Sequence, residues 1–112
     1  MKQIEAVIRP IKLDAVREAL IDNGITGMTI EEVRGFGRQK GHKLMYRGSE
    51  YHVNFMPKIK LVMVVVDSLV DRIVSTITQT AKTGTIGDGK IFITPVEEAV
   101  RVRTEESGEC AL

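Results

Sequence analysis

A segment rich in glycine and basic residues divides this sequence into two halves. Between Val33 and Phe55 the chain holds four glycines and five lysines or arginines. No period of two or of 3.6 residues runs through this segment, so we predict a loop. A connection of this length in a small domain is usually either functional or disordered. We expect an ordered base and a mobile, protruding tip near Tyr46, Ser49 and Tyr51, a shape that suits the binding of a partner.

Each half flanking this loop reads as strand, helix, strand. Pro10 ends the first strand because proline cannot donate to a central ladder, and Asn23-Gly24 is typical of a helix end. Ser68 and Asp71 resemble a capping box at the start of the second helix. The predicted elements are strands over Gln3–Arg9, Thr26–Val33, Lys58–Val66 and Ile91–Val96, helices over 13–23 and 68–81, and a last short strand at Arg101–Arg103.

This order of elements predicts an α+β fold of the ferredoxin-like type, β-α-β-β-α-β, with the long loop between strands 2 and 3. Its helices cover one face of a four-stranded antiparallel sheet, and we expect strand 3 to be buried on both faces. The second face, which carries apolar residues, then needs another cover, and we infer packing against other subunits. The whole chain, 1–112, reads as a single domain whose effector loop covers about 37–55 and whose flexible tail covers about 104–112.

Composition narrows the classes of function. The formal charge of +1 argues against a general binder of nucleic acid or of membrane surfaces. The longest apolar run, Leu61 to Val66, is too short to cross a bilayer, so we expect no membrane insertion. Cys110 is the single cysteine, which excludes an intrachain disulfide and favours a reducing, cytoplasmic compartment.

The glycine-rich segment before the last long strand is a candidate phosphate site. Gly84 to Lys90 matches the spacing G-x-x-x-x-G-K, in which bare backbone N–H groups and a lysine surround phosphates. However, Ile91 stands where a P-loop needs serine or threonine, and a strand follows in place of a helix. The alternative interpretation is a tight turn in which the glycines only supply positive φ angles.

Two further groups of basic residues join this segment. Arg101 and Arg103, on one face of the predicted strand, would lie roughly 6.6 Å apart, with Val100 and Val102 in the core. Together with Lys90 and Arg38 they suggest a polyphosphate pocket, although a solvated edge strand would look the same. At the base of the loop, Lys58 with Gln39, Lys40 and Gly41 could bind a small carboxylate, or these residues could simply be solvated.

Other chemistries find less support. His42 and His52 have no acidic or cysteine companions at metal-ligand spacing. Arg34-Gly-Phe-Gly37 begins like an RNA-recognition motif, but basic and amide residues replace the aromatic residues that must follow. No nucleophile stands beside a general base. A binding protein is the favoured reading, and a phosphate-handling enzyme of ferredoxin-like fold and a small RNA-binding domain stay as alternatives.

The segments GFGRQKGH, YRGSEY, TGTIGDGKIF and RVRT occur in this order, and with them the chain resembles the PII nitrogen-regulatory signal proteins over essentially its whole length. The resemblance implies a homotrimer without enzymatic activity, which binds ATP or ADP in the clefts between subunits. It further implies that 2-oxoglutarate binds together with Mg²⁺ and ATP. The long loops would then change shape to bind protein targets of nitrogen metabolism, an ammonium channel among them.

The resemblance also assigns roles to individual residues. Gln39 would be the Mg²⁺ ligand, and Gln39, Gly41 and Lys58 would bind 2-oxoglutarate. The implied nucleotide-binding residues are Val7, Thr29, Gly37, Arg38, Gly87, Asp88, Gly89, Lys90, Arg101 and Arg103. Tyr51 and Ser49 match modified residues of some relatives, and Arg47 matches a residue that enters the channel. The sequence departs from the usual family pattern at Val7, Lys43, Leu44, Asn54 and Val62.

Overall fold

A computed structural model of the chain describes residues 1–36 and 55–112. Its long elements are listed here in chain order: β1 Lys2–Ile8, α1 Leu13–Asp22, β2 Thr29–Gly35, β3 Met56–Val65, α2 Val70–Ala81 and β4 Gly89–Pro95. Short 3₁₀ turns at Pro10–Lys12, Asp67–Leu69 and Gly108–Ala111 complete the described segments. No helix within these residues is long and apolar enough to span a membrane.

The helices form where apolar residues recur at helical spacing. Val16 and Leu20 give α1 its buried face, and Ile73, Ile77 and Ala81 do the same for α2. At the end of α1, the side chain of Asn23 donates to the Ala19 carbonyl at 2.8 Å. Gly24 follows with a φ of 92°, a left-handed conformation that stops the helix at little cost for glycine.

The four strands form one antiparallel sheet in the order β2-β3-β1-β4. β1 lies in the centre, with Ile4 opposite Met63 of β3 on one side and opposite Ile93 of β4 on the other. The predicted ferredoxin-like architecture is therefore confirmed. β2 and β3 stay paired as far as Gly35 and Met56, so these residues are strand and not loop.

The two faces of the sheet differ in burial. On the helix-covered face, alternate residues of β1 and β3 are buried, namely Ile4, Ala6, Ile8, Ile59, Leu61, Met63 and Val65. On the second face the intervening residues are only half-buried, and this open face comprises Gln3, Glu5, Val7, Lys58, Lys60, Val62 and Val64. The prediction that strand 3 is buried on both faces is thus wrong for the part of the chain that the structure describes, because none of residues 1–36 and 55–112 forms a layer over its open face.

Two local predictions are also wrong. Ser68 lies in the 3₁₀ turn, and Leu69 caps α2 without a side-chain hydrogen bond, so no capping box forms. Arg101–Arg103 is not a strand, because only a single bridge, Val100 to Ser107, pairs this part of the chain. Val100 and Val102 are 59% and 93% exposed instead of lying in the core. Alternating Val and Arg satisfy the strand period, but among residues 1–36 and 55–112 no strand lies beside this segment to complete a ladder.

Candidate anion-binding site

The glycine-rich segment forms a tight turn between α2 and β4, and we call residues 82–89 the glycine turn. Gly84, Gly87 and Gly89 have φ angles of 90°, 108° and 110°. At Gly89 the turn also lies directly on β1, because a Cβ there would be 1.8 Å from the main-chain oxygen of Val7. Glycine is therefore required at this position both by conformation and by space.

Asp88 organises the turn from within. Its carboxylate accepts hydrogen bonds from the main-chain N–H groups of Thr83 and Gly84, both at 2.8 Å, and from the Thr83 hydroxyl. It also accepts one from Arg9 Nε at 3.0 Å. The bonds from the Thr83 side chain, then those from the backbone and Arg9, hold the pKa of Asp88 well below its usual value. The side chain thus serves the turn, and any phosphate contact at Asp88 would come from its main chain.

Arg9 fastens this turn to the end of β1. Its Nη2 donates to the Thr85 hydroxyl and to the Ile86 carbonyl, each at 3.0 Å. These bonds add to the Arg9–Asp88 ion pair, whose side chains are 26% and 23% exposed. The contacts of Arg9 with the glycine turn were not predicted from the sequence, because its partners are 76 to 79 residues away along the chain. No local spacing indicates them.

Lys58 links the turn to the base of the long loop. Its Nζ donates to the Gly87 carbonyl at 2.6 Å. Burial, followed by the neighbouring positive charge of Arg9, lowers the pKa of Lys58. The structure therefore brings the predicted carboxylate-binding lysine into direct contact with the predicted phosphate-binding turn.

Further candidates lie on the open face of the sheet beside the turn. Val7 stands opposite Lys90 of β4 and opposite Lys60 of β3, so these three residues form one cross-strand row. Thr29 belongs to β2 at the far edge, where it pairs with Val62. Thr29 shares a cross-strand row with Phe92, two residues beyond Lys90 on β4. Since β2 and β4 are also three strand spacings apart, roughly 16 Å separates Thr29 from Lys90 across one sheet.

A cleft opens at the base of the loop, next to Lys58. Its volume is about 600 Å³, within the usual range for small-molecule sites. Its lining consists of Pro10, Glu32, Val33, Arg34, Pro57, Lys58 and Ile59. Next to the last β2–β3 pair, Gly35 and Met56, the rings of Phe36 and Phe55 meet edge to face with centroids 5.9 Å apart. The residues on either side of the predicted loop are thus joined by an aromatic pair as well as by the sheet.

The structure does not bring Arg101 and Arg103 to the glycine turn of their own chain. After β4 the chain leaves the sheet beside its first residue, where Val96 N–H donates to the Met1 carbonyl at 3.1 Å. Arg101 Nη2 contacts the main-chain oxygen of Leu112 at 3.2 Å, and Leu112 lies in a groove with Gly24 and Val65. The glycine turn lies at the other end of β1, roughly 20 Å away.

Several predicted site residues lie outside the described residues. They are Gly37, Arg38, Gln39, Gly41, Arg47, Ser49 and Tyr51, and their roles stay predictions. The departures at Lys43, Leu44 and Asn54 also fall there. Of the predicted nucleotide residues that the structure describes, Val7, Gly87, Asp88, Gly89 and Lys90 lie together, whereas Thr29, Arg101 and Arg103 lie elsewhere on the same chain.

The chain is similar over its length to known nitrogen regulatory proteins. The family model "Nitrogen regulatory protein P-II" matches residues 1–106. The chain is 62% identical to the nitrogen regulatory protein P-II of Haemophilus influenzae over 112 residues, which is all of both chains. It is 60% identical to the P-II protein of Azospirillum brasilense and 58% identical to P-II 1 of Escherichia coli K12, again over the full length of each. The chain belongs to the P-II family of nitrogen regulatory signal-transduction proteins.

Proposed function

We propose that this chain acts as a non-catalytic homotrimer that senses ATP or ADP together with 2-oxoglutarate. The observation that carries the proposal is the contact between Lys58 and the Gly87 carbonyl. Through this contact, the part of the molecule suited to phosphates directly adjoins the base of the loop suited to a partner. A ligand that binds both at the glycine turn and at the base of the loop would therefore affect the loop directly.

The residues around the glycine turn fit a nucleotide polyphosphate. Consecutive main-chain N–H groups in a glycine-rich turn form a concave donor surface for anions, and Lys90 adds a positive charge beside it. Val7 offers an apolar surface in the same cross-strand row. We propose that Gly87, Gly89 and Lys90 hold the phosphates and that Gln39 ligates the Mg²⁺ that joins them.

A second copy of the chain would complete the site. The open face needs cover, and Arg101 and Arg103 lie at the wrong end of their own sheet for the glycine turn. In a trimer with a heterologous, closed interface, one copy presents its glycine turn and the next copy presents its arginines. The same interface would bring the β2 edge of one copy, with Thr29, toward the β4 edge of another.

Coupling to the loop would arise at Lys58. A carboxylate of 2-oxoglutarate that binds Lys58 would use another of the three N–H donors on the same ammonium that serves the Gly87 carbonyl. The ligand would therefore change the junction between loop base and turn, and differential affinity for two loop shapes shifts their populations. The loop, with Arg47 and the candidate modification sites Ser49 and Tyr51, would then select a target such as an ammonium channel or a nitrogen-metabolism enzyme at the cytoplasmic side.

Titration calorimetry tests this function. We expect 2-oxoglutarate to bind in the presence of Mg²⁺ and ATP but not with ADP, because the γ-phosphate and metal complete its site. Lys58→Met should abolish 2-oxoglutarate binding while ATP still binds, since the apolar stem is kept and only the ammonium is lost. Lys60→Met is a matched control on the same strand and face, where Lys60 is 3.7 Å from Glu31.

Equal binding of 2-oxoglutarate with ATP and ADP would contradict the proposed coupling. An unchanged affinity in Lys58→Met would remove Lys58 from the site. Steady ATP hydrolysis with a turnover above about 1 s⁻¹ would instead favour an enzyme, because that is an ordinary enzymatic rate.

A further inference from the structure

We infer that Glu106 is a positioning residue that holds Arg101 ready for a nucleotide phosphate, an inference that rests on the proposed function. Nothing in the sequence or in the comparisons assigns a role to Glu106. After β4 the chain forms a turn over residues 100–107, which we call the arginine turn. Several contacts within this turn involve Arg101.

The guanidinium of Arg101 is bound on two sides. Nη1 forms an ion pair with Glu106 Oε1, and Nη2 donates to the main-chain oxygen of Leu112 at 3.2 Å. Glu106 Oε1 also accepts the Thr104 hydroxyl at 2.8 Å, so the carboxylate is itself oriented. An arginine has five N–H donors, and the described contacts of the Arg101 side chain use only two of its nitrogens once each.

The backbone of the arginine turn is built around the same residue. Arg101 N–H donates to the Glu106 carbonyl at 2.9 Å, and the Arg101 carbonyl accepts the Glu105 N–H at 2.8 Å. Glu105 takes a φ of 63°, a left-handed conformation that costs a residue other than glycine some free energy. The turn therefore keeps an unfavourable backbone conformation that places Glu106 beside Arg101.

This arrangement leaves Arg101 both fixed and available. Its side chain is 35% exposed, and that of Glu106 is 46% exposed, so a phosphate can approach without displacing the pair. An unrestrained arginine loses rotamer freedom when it binds an anion, and a restrained one has less to lose. Glu106 thereby lowers the entropic cost of binding, although its own charge is negative.

A double-mutant cycle on the full-length chain tests this role, with the dissociation constant of ATP as the readout. Glu106→Ala should weaken ATP binding about three- to tenfold, as expected when one long side chain loses its restraint. Glu106→Gln keeps an oxygen acceptor for Arg101 and Thr104 and should stay within about twofold of the unmodified chain. Glu109→Ala removes an equal charge from the same tail and should have no effect.

The decisive comparison is Glu106→Ala in an Arg101→Ala background. If Glu106 acts through Arg101, it has no further effect there; a purely structural role in the tail would weaken binding equally in both backgrounds. Tighter ATP binding by Glu106→Ala would also overturn the inference, because Glu106 would then compete with phosphate. These outcomes leave the proposed function intact. It would fail separately, and this inference with it, if the unmodified chain did not bind ATP.

Discussion

The glycine turn and the arginine turn illustrate two ways of holding an irregular segment. The glycine turn is bound to the sheet by residues outside the turn, namely Arg9, which follows β1, and Lys58 of β3. The arginine turn is held by its own residues and by the end of the chain, chiefly through Glu106 and Leu112. Each presents groups suited to phosphate, at opposite ends of one sheet. In the proposed trimer, a single chain would therefore carry both halves of a site without assembling them.

This difference predicts how each turn responds to substitutions. The glycine turn depends on close contact with the central strand, so defects there should affect folding as well as binding. The arginine turn makes few contacts with the core, so defects there should affect binding alone.

The largest effect is expected at Gly89. Gly89→Ala places a Cβ against the Val7 backbone at a φ of 110°, and we expect the free energy of unfolding to fall by roughly 3 kcal/mol or more. ATP affinity should fall at least tenfold with it, because the turn must leave β1. Urea unfolding and calorimetry measure the two quantities.

Two glycines serve as graded controls for that substitution. Gly84 has a φ of 90° and open space around it, so Gly84→Ala should cost only about 1 kcal/mol from strain. Gly27 also has open space and no positive φ, so Gly27→Ala should change stability by less than about 0.5 kcal/mol. If all three variants lost equal stability, the close contact of Gly89 with β1 would have no special role.

A smaller effect, dependent on pH, is expected at Asp88. The pKa of Asp88 is lower in the folded chain than its ordinary value of 3.8. Its stabilising contribution is therefore fully present above that ordinary value and is lost as the pH falls toward the folded pKa. Asp88→Asn should flatten the decline of stability below about pH 4, as followed by urea unfolding at several pH values.

Asp67 provides the control for this pH dependence. Hydrogen bonds from the N-terminal ammonium and from Lys2 lower the pKa of Asp67, so it titrates with the same sign. Asp67→Asn should flatten the same part of the curve without changing ATP affinity, because Asp67 is far from the glycine turn. A curve for Asp88→Asn that matched the unmodified chain would show that the hydrogen bonds of Asp88 do not stabilise the fold.

The sequence predicted the long elements and the type of fold correctly because their signals are local. Period-two alternation marks β1, and a stripe of apolar residues at helical spacing marks α2. The predicted strand at Arg101–Arg103 failed since alternation describes what a strand looks like but not whether a neighbour exists. The hydrogen bonds from Arg9 to the glycine turn were not predictable either, because they join residues that approach each other only in the folded sheet.

The arrangement of the candidate site was predictable in part for the same reason. Gly87, Gly89 and Lys90 lie in one short segment whose spacing is informative. The contact between Gly87 and Lys58 depends on the strand order, which the sequence implied only through the fold. Arg101 and Glu106 carry opposite charges and lie five residues apart. Because this spacing fits neither a helix nor a strand, the sequence alone did not predict their contact.

The most direct test of the central claim, that two copies of the chain share each site, uses mixed trimers. Lys90→Ala and Arg101→Ala should each weaken ATP binding by at least about tenfold, since each removes a charged hydrogen bond to phosphate. When the two variants are unfolded and refolded together, about a quarter of the sites should combine an intact Lys90 from one copy with an intact Arg101 from the next. Calorimetry should therefore show recovery of tight ATP binding at about that fraction of sites. If the mixture binds no better than either variant refolded alone, the site lies within one chain and the account is wrong.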